Sequence, residues 1–266
     1  PAVGSDRTLH YRNRVNLPVV DFHGQLANAL YQRDTNHPVI IDTCYLHEEG
    51  LEAIRQAILK VLNQTGKRAY RNGHGLRQLV IRGFGENYQA VLITGEDSLD
   101  KQLINRLMAV EGLKSLYQGI NTEKNPVNMM PEKLNLLAGD KTIEFELDGL
   151  KMAIGPKAFF QLNSSQAINI YRKVRELAYG GRNIIEAFSG IGAISLYLAD
   201  GAEKVTGVEI DGSAVADARR NAELNGIRNV RFISDDAGRQ IRILVNKGHA
   251  DTLVVDPPRT GLDERF

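Results

Sequence analysis

The chain has 266 residues, 42% apolar and 24% charged, with a formal net charge of +1. These values describe one or two folded domains and exclude a mainly disordered chain, and the near-balanced charge means that any polyanion-binding surface must be a local patch. The one cysteine, Cys44, excludes an internal disulfide and fits a reducing, cytoplasmic setting; no apolar run approaches the roughly 18 residues of a membrane span, and the opening residues do not have the shape of a signal peptide.

In chain order, "RNRVNLPVVDF" (Arg12 to Phe22) and "HPVIIDTC" (His37 to Cys44) read as strands. "HEEGLEAIRQAILKVLNQTG" carries Leu51, Ile54, Ala57, Ile58, Val61 and Leu62 as a helical stripe and is ended by Gly66. "GLRQLVIRGFGENYQAVLITGE" gives a hairpin turning at "GFGENY", and "DSLDKQLINRLMAVEGLKSLYQGIN" a helix capped by Asp97 or Ser98 that runs on into a strand. The first half is therefore expected to be α+β.

The second half has a different grammar. A hairpin turning at Asp148-Gly149 and a helix opened by Ser164 or Ser165 lead into an alternation: "NIIEAF" (strand), "GAISLYLAD" (helix), "KVTGVEI" (strand), "DGSAVADARRNAELNG" (helix), "VRFIS" (strand), "GRQIRILVNKG" (helix) and "DTLVVD" (strand). This alternation predicts a parallel, doubly wound α/β sheet. The boundary between the halves is expected between Asn121 and Gly155. The chain starts with Pro and both its ends run into structured-looking sequence, so it is expected to be an excerpt of a longer protein.

The densest signal is "IIEAFSGIGAISL". An apolar strand ends at Glu186, and Gly190 and Gly192 allow a sharp turn into a helix, a geometry suited to a nucleotide-like ligand. A dinucleotide fingerprint needs a third glycine where Ser195 stands, which weighs against a nicotinamide-dependent oxidoreductase. Glu209 ends the next strand, where a carboxylate accepts ribose hydroxyls. Asp235 and Asp236 follow the third strand, one of them expected at an adenine amino group and the other in solvent, and Asp256 follows the fourth. Glu186, Glu209, Asp236 and Asp256 are expected to line one crevice beyond the strand ends.

Together "FFQLN" (Phe159 to Asn163), "EAFSGIG", "VTGVE", "DARRNAELNG" and "DPPRTGL" (Asp256 to Leu262) resemble, in order and spacing, the RNA uracil-C5 methyltransferases. The likeness runs from about Tyr11 to the end. It implies an RNA-facing central domain over 1–140 and an incomplete Rossmann-like domain, dependent on S-adenosylmethionine, over 141–266. By motif, Gln161, Phe188, Gly190, Gly192, Glu209, Asp236 and Asp256 would contact cofactor or uracil, with Asp236 at the adenine and Asp256 at the uracil. Phe159 or Phe160 would help draw the base out of its stack.

"YRNRV" (Tyr11 to Val15) and Cys44 in "IIDTCYL" resemble the ribosomal-RNA branch, in which that cysteine is the last of four ligands to a 4Fe-4S cluster, the other three being expected before Pro1; the alternative for Cys44 is a small buried side chain. The resemblance implies 5-methyluridine formation, with 23S ribosomal RNA favoured over transfer RNA as substrate, by a monomer. In such chemistry a cysteine thiolate adds to carbon 6, carbon 5 takes the methyl group, and a base removes the carbon-5 hydrogen. The nucleophilic cysteine and the basic glutamate are expected beyond Phe266, leaving these residues able to bind but not to methylate. Basic and aromatic residues interleave in Arg7 to Arg14 and in Lys67 to Arg77, as RNA contact requires; a plain solvated face is the alternative. Other readings are a methyltransferase of exocyclic amines, disfavoured because Arg259 rather than an aromatic residue follows the two prolines, and a non-catalytic RNA-binding module with a methyltransferase shell.

Overall fold

Alternating apolar residues on long strands, set beside one-sided helices, require a sheet covered by helices, and this is how the chain begins. The computed structural model describes residues 3–35, 37–124, 126, 128–246, 250–258 and 261–262. It forms two compact units, Pro1–Ile143 and Glu144–Phe266.

The first unit runs β1 (Arg14–Phe22), β2 (Gln25–Tyr31), β3 (Pro38–Ile40), α1 (Glu49–Gln64), β4 (Leu76–Phe84), β5 (Asn87–Thr94), α2 (Lys101–Met108), β6 (Leu113–Ile120) and β7 (Leu134–Gly139). Seven strands form one sheet in the order β3-β2-β1-β4-β5-β6-β7. The β5–β6 pair is parallel, with α2 as its crossover. Period-two alternation separates the faces: Leu79, Ile81, Ala90, Leu92 and Leu116 join the core with Leu51, Ile54, Ile58 and Leu62 of α1, while Val80, Val91, Ile93 and Tyr117 pack with Met129 and Met130.

Three local expectations are corrected. The cap of α2 is Asp100, whose Oδ1 accepts from Leu103 N at 2.8 Å; Asp97 instead accepts a hydrogen bond from Gly75 N. The strand expected over 37–44 pairs only at Pro38–Ile40, because the Asp42 carbonyl turns to Arg55 and Cys44 N to Glu52. In the second unit, the cap of α3 is Asn163, which accepts from Gln166 N at 3.2 Å.

Glu52 and Arg55 are buried charges on α1. Arg55 binds the Glu52 carboxylate, the Asn28 side chain and the Asp42 carbonyl, and His47 Nδ1 lies 3.0 Å from Glu52 Oε2. Burial would raise the Glu52 carboxyl, but hydrogen bonds from Arg55 and His47 hold it below its ordinary value.

The second unit runs β8 (Ile143–Leu147), β9 (Leu150–Ile154), α3 (Ser164–Leu177), β10 (Asn183–Ala187), α4 (Ala193–Ala199), β11 (Lys204–Glu209), α5 (Gly212–Leu224), β12 (Val230–Ser234), α6 (Ala237–Asn246) and β13 (Thr252–Val255). Asp148 and Gly149 both have positive φ, 51° and 83°, as a two-residue β8–β9 turn demands. The other four strands form a parallel sheet ordered β12-β11-β10-β13. Its connections go from β10 outward to β12 and then cross to β13, so the ligand crevice of such a sheet lies beyond the carboxyl ends of β10 and β13. Among the described residues no helix is long and apolar enough to cross a membrane.

Replacing Arg55 with Met strands the Glu52 carboxylate in the core. Such a loss costs about 3–5 kcal/mol, read as a lower urea midpoint at unchanged m-value. A loss below about 1 kcal/mol would show that water reaches Glu52.

Candidate active site

The chain leaves β10 through three residues of positive φ: Phe188 at 62°, Gly190 at 51° and Gly192 at 81°. For a bulky residue this conformation costs about 1–2 kcal/mol. Phe188 is held in it by packing against the core of Ile185, Val208 and Ile241. A Cβ on Gly192 would stand 2.5 Å from Cζ of Phe232, and one on Gly207 would stand 2.6 Å from Cδ1 of the same ring, so Phe232 of β12 requires glycine at both places.

Glu209, the last residue of β11, is pre-oriented. Its Oε2 accepts from Gly190 N at 3.0 Å and its Oε1 from Asp211 N at 2.9 Å. Each carboxylate oxygen can accept a second hydrogen bond, so two remain for a diol. Ile210 beside it is 72% exposed, an apolar surface at a strand end that the sequence reading missed; a large aliphatic residue directly after the acidic strand end was the available signal. The Ser189 hydroxyl, also in the turn, is buried with no hydrogen-bond partner.

Glu186 departs from its expected place. It is 1% exposed and does not line a crevice; Ser195 Oγ donates to its Oε2. Burial pushes its carboxyl up to about 8, opposed by hydrogen bonds from Ser195 and assisted by the charges of Asp256 and Glu209.

Of the paired aspartates, Asp235 is engaged by the side chains of Arg239 and Gln240, whose hydrogen bonds hold it below its ordinary value. Asp236 is exposed and its Oδ1 caps α6 by accepting from Arg239 N at 2.8 Å. Asp256 is exposed directly after β13, and Arg259 lies outside the described residues. Gln161 is half-buried between β9 and α3. The two phenylalanines divide: Phe160 is 4% exposed and meets Phe145 edge-on at 5.3 Å, whereas Phe159 is 67% exposed.

The iron–sulfur expectation places one of four cysteine ligands in these residues, Cys44, which is free and half-buried. Cys44 is the single cysteine of the chain, and no group of three or more His, Cys, Asp or Glu among the described residues could hold a metal. These residues alone do not supply the four thiolates such a cluster needs.

In the first unit, a groove of about 790 Å³ is lined by Tyr31, Arg68, Tyr70, Arg71, Arg77 and Met129, among others. Arg77 stacks over Tyr70 at 4.1 Å and donates to Asn121 and Glu123 carbonyls, so it is a structural cation, while Arg71 is exposed. In the other basic stretch, Arg14 is committed to β1, and burial lowers its guanidinium.

The fold and this strand-end arrangement are those of the Rossmann-like domain of S-adenosylmethionine-dependent methyltransferases. Residues 150–266 match the family model described as tRNA (Uracil-5-)-methyltransferase. An uncharacterized RNA methyltransferase of Halalkalibacterium halodurans is 36% identical over 99% of this chain and 60% of its own length; one of Lactiplantibacillus plantarum is 32% identical over 100% and 60%. The crystal structure of Pyrococcus abyssi tRNA (uracil-54, C5)-methyltransferase in complex with S-adenosyl-L-homocysteine superposes with a TM-score of 0.79 at 28% identity, over 98% of this chain and 63% of that one. The chain thus spans about 60% of the length of the curated relatives it matches. Residues 150–266 carry the match to the RNA uracil-C5 methyltransferase family, and the whole chain is similar to RNA methyltransferases.

The buried Glu186 makes stability depend on pH. Its folded value, about 8, lies above its ordinary 4.5, so the native state binds more protons across that window and its stability falls as pH rises through it. Glu186→Gln keeps an acceptor for Ser195 and is expected to flatten this slope, checked by urea unfolding at pH 5, 7 and 9. An unchanged slope would place the titration elsewhere.

Proposed function

We propose that the protein methylates carbon 5 of uridine in RNA, with S-adenosylmethionine as donor. The observation that carries this reading is Glu209, locked by two backbone amides with two acceptor positions left at the carboxyl end of a parallel strand. In this reading Glu209 holds the ribose diol and the turn of Phe188, Gly190 and Gly192 cradles the rest of the cofactor. Ile210 covers one adenine face and Asp236 meets the adenine amino group with the oxygen not used as a cap. The cofactor supplies a methyl group on a sulfonium. Gln161 and Asp256 position the uracil edge, and Phe159, exposed on its loop, stacks on the extruded base.

Cys44 is the one thiol of the chain and sits in the first unit. The family resemblance assigns the thiolate step to a cysteine other than Cys44 and the base to a glutamate, neither of them in the motifs matched here. A polypeptide of only these residues is expected to bind S-adenosylhomocysteine without methylating RNA.

Ribosomal RNA is the favoured substrate, on the likeness of Tyr11 to Val15 and Cys44 to that branch; in this reading a cluster would need ligands from beyond the chain. Transfer RNA is the second reading, favoured by the similarity to the P. abyssi enzyme. Methyl transfer by the intact protein to purified ribosomal RNA and to transfer RNA separates them. No transfer to either, with S-adenosylhomocysteine bound, would favour the non-catalytic module. RNA contact in the first unit is assigned to the groove of Tyr31, Arg68 and Arg71. Charge reversal at Arg71 is expected to weaken RNA binding equally across sequences and to lower the salt slope by about 1.

Glu209→Ala is expected to weaken S-adenosylhomocysteine about 10- to 100-fold, as the loss of charged hydrogen bonds implies. Asp256→Ala should leave that affinity nearly unchanged while methyl transfer by the intact protein falls about 100-fold. Titration calorimetry and tritium transfer check the pair; a Glu209→Ala variant with wild-type affinity would overturn the assignment.

A further inference from the structure

Strand β9 docks on α5 through side chains that imitate a neighbouring strand. Asn225 accepts from Lys151 N at 2.9 Å and donates to Lys151 O at 2.7 Å. One turn back, Asn221 accepts from Ala153 N at 2.6 Å and donates to Ala153 O at 3.2 Å. A further turn back, Asp217 accepts from Gly155 N at 2.8 Å. The match is geometric: four residues rise about 6 Å along a helix, and two residues span about 6.6 Å along a strand. Successive turns at the C-terminal end of α5 therefore meet the amides of Lys151 and Ala153 in β9 and of Gly155 just after it.

Asn221 does more than its neighbour. Its Nδ2 also donates to the Ile191 carbonyl at 3.0 Å, between Gly190 and Gly192. The side chain is fully buried, and its amide has both N–H groups and its oxygen engaged. One planar group thus ties the glycine turn to the strand that leads into Phe159–Asn163.

We infer that Asn221 is a positioning residue for methyl transfer, holding the glycine turn and the base-handling segment after β9 in one fixed relation. The inference rests on the methyl-donor reading of that turn. An aspartate at 221 keeps the acceptor for Ala153 N but points a carboxylate oxygen at two carbonyls. Asn225→Asp is the matched control, because Asn225 also donates twice, to the carbonyls of Lys151 and Asn221, without touching the turn.

The test uses the intact protein, with titration calorimetry of S-adenosylhomocysteine and amide hydrogen exchange below the unfolding range of every variant. Asn221→Asp is expected to weaken binding about ten-fold or more and to speed exchange in both 150–155 and 188–193. Asn225→Asp should speed exchange only around Lys151 and leave affinity within about two-fold. A folded Asn221→Asp variant with wild-type affinity and wild-type exchange at 188–193 would overturn the inference, as would equal weakening by Asn225→Asp. If Asn221→Asp does not fold, the wild type decides: S-adenosylhomocysteine should slow exchange of the Ala153 amide and not that of Lys151, and no change at Ala153 refutes the link. If the wild type binds no S-adenosylhomocysteine, the methyl-donor reading falls, while exchange in the ligand-free variants still reports whether Asn221 couples the two segments.

Discussion

The second unit is organised by the reversal between β10 and α4, where the backbone adopts positive φ at Phe188, Gly190 and Gly192 within five residues. A reversal this tight leaves polar groups of the main chain pointing out of regular structure, and each must find a partner or a ligand. Gly190 N finds Glu209, and the Ile191 carbonyl finds Asn221. The neighbouring elements supply the counterparts the turn requires, so β11 and α5 are tied to the turn by polar bonds as well as by apolar packing.

Phe232 supplies the apolar half of the same constraint. Its ring fills the space that side chains at 192 and 207 would need, so the turn and β11 approach β12 closely. That approach keeps Glu209 within reach of Gly190. The first unit uses a different device: its sheet is covered by Leu51, Ile54, Ile58 and Leu62 of α1, and the charges of Glu52 and Arg55 are buried together and neutralise one another.

Most elements were legible because their periodicity is strong. The alternation from Asn183 onward follows the expected order, and the Asp148-Gly149 turn forms where the residues predicted it. Strands β2 and β7 had not been foreseen. "QLANALY" mixes Asn and Ala into its alternation, and β7 starts after a stretch rich in Asn, Pro and Met that reads as loop; both are held by neighbours rather than by propensity. The caps of α2 and α3 were misplaced because several cap-competent residues stand in a row, and only the fold decides which faces the first turn. In the site, Glu209 and the glycines were legible from spacing. The burial of Glu186 and the engagement of Asp235 were not, since a carboxylate at a strand end looks the same in sequence whether it faces solvent or a hydroxyl two turns away.

The Glu186–Ser195 contact also bears on how such chains are told apart. Ser195 occupies the position of the third glycine of the dinucleotide fingerprint, and its hydroxyl is what receives a carboxyl sealed beneath the sheet's end. Glycine there would leave that carboxyl without its side-chain donor, so a chain with Gly at 195 is best served by an apolar residue at 186. The two positions are thus coupled through one hydrogen bond, and a change at either one alters what the other can hold.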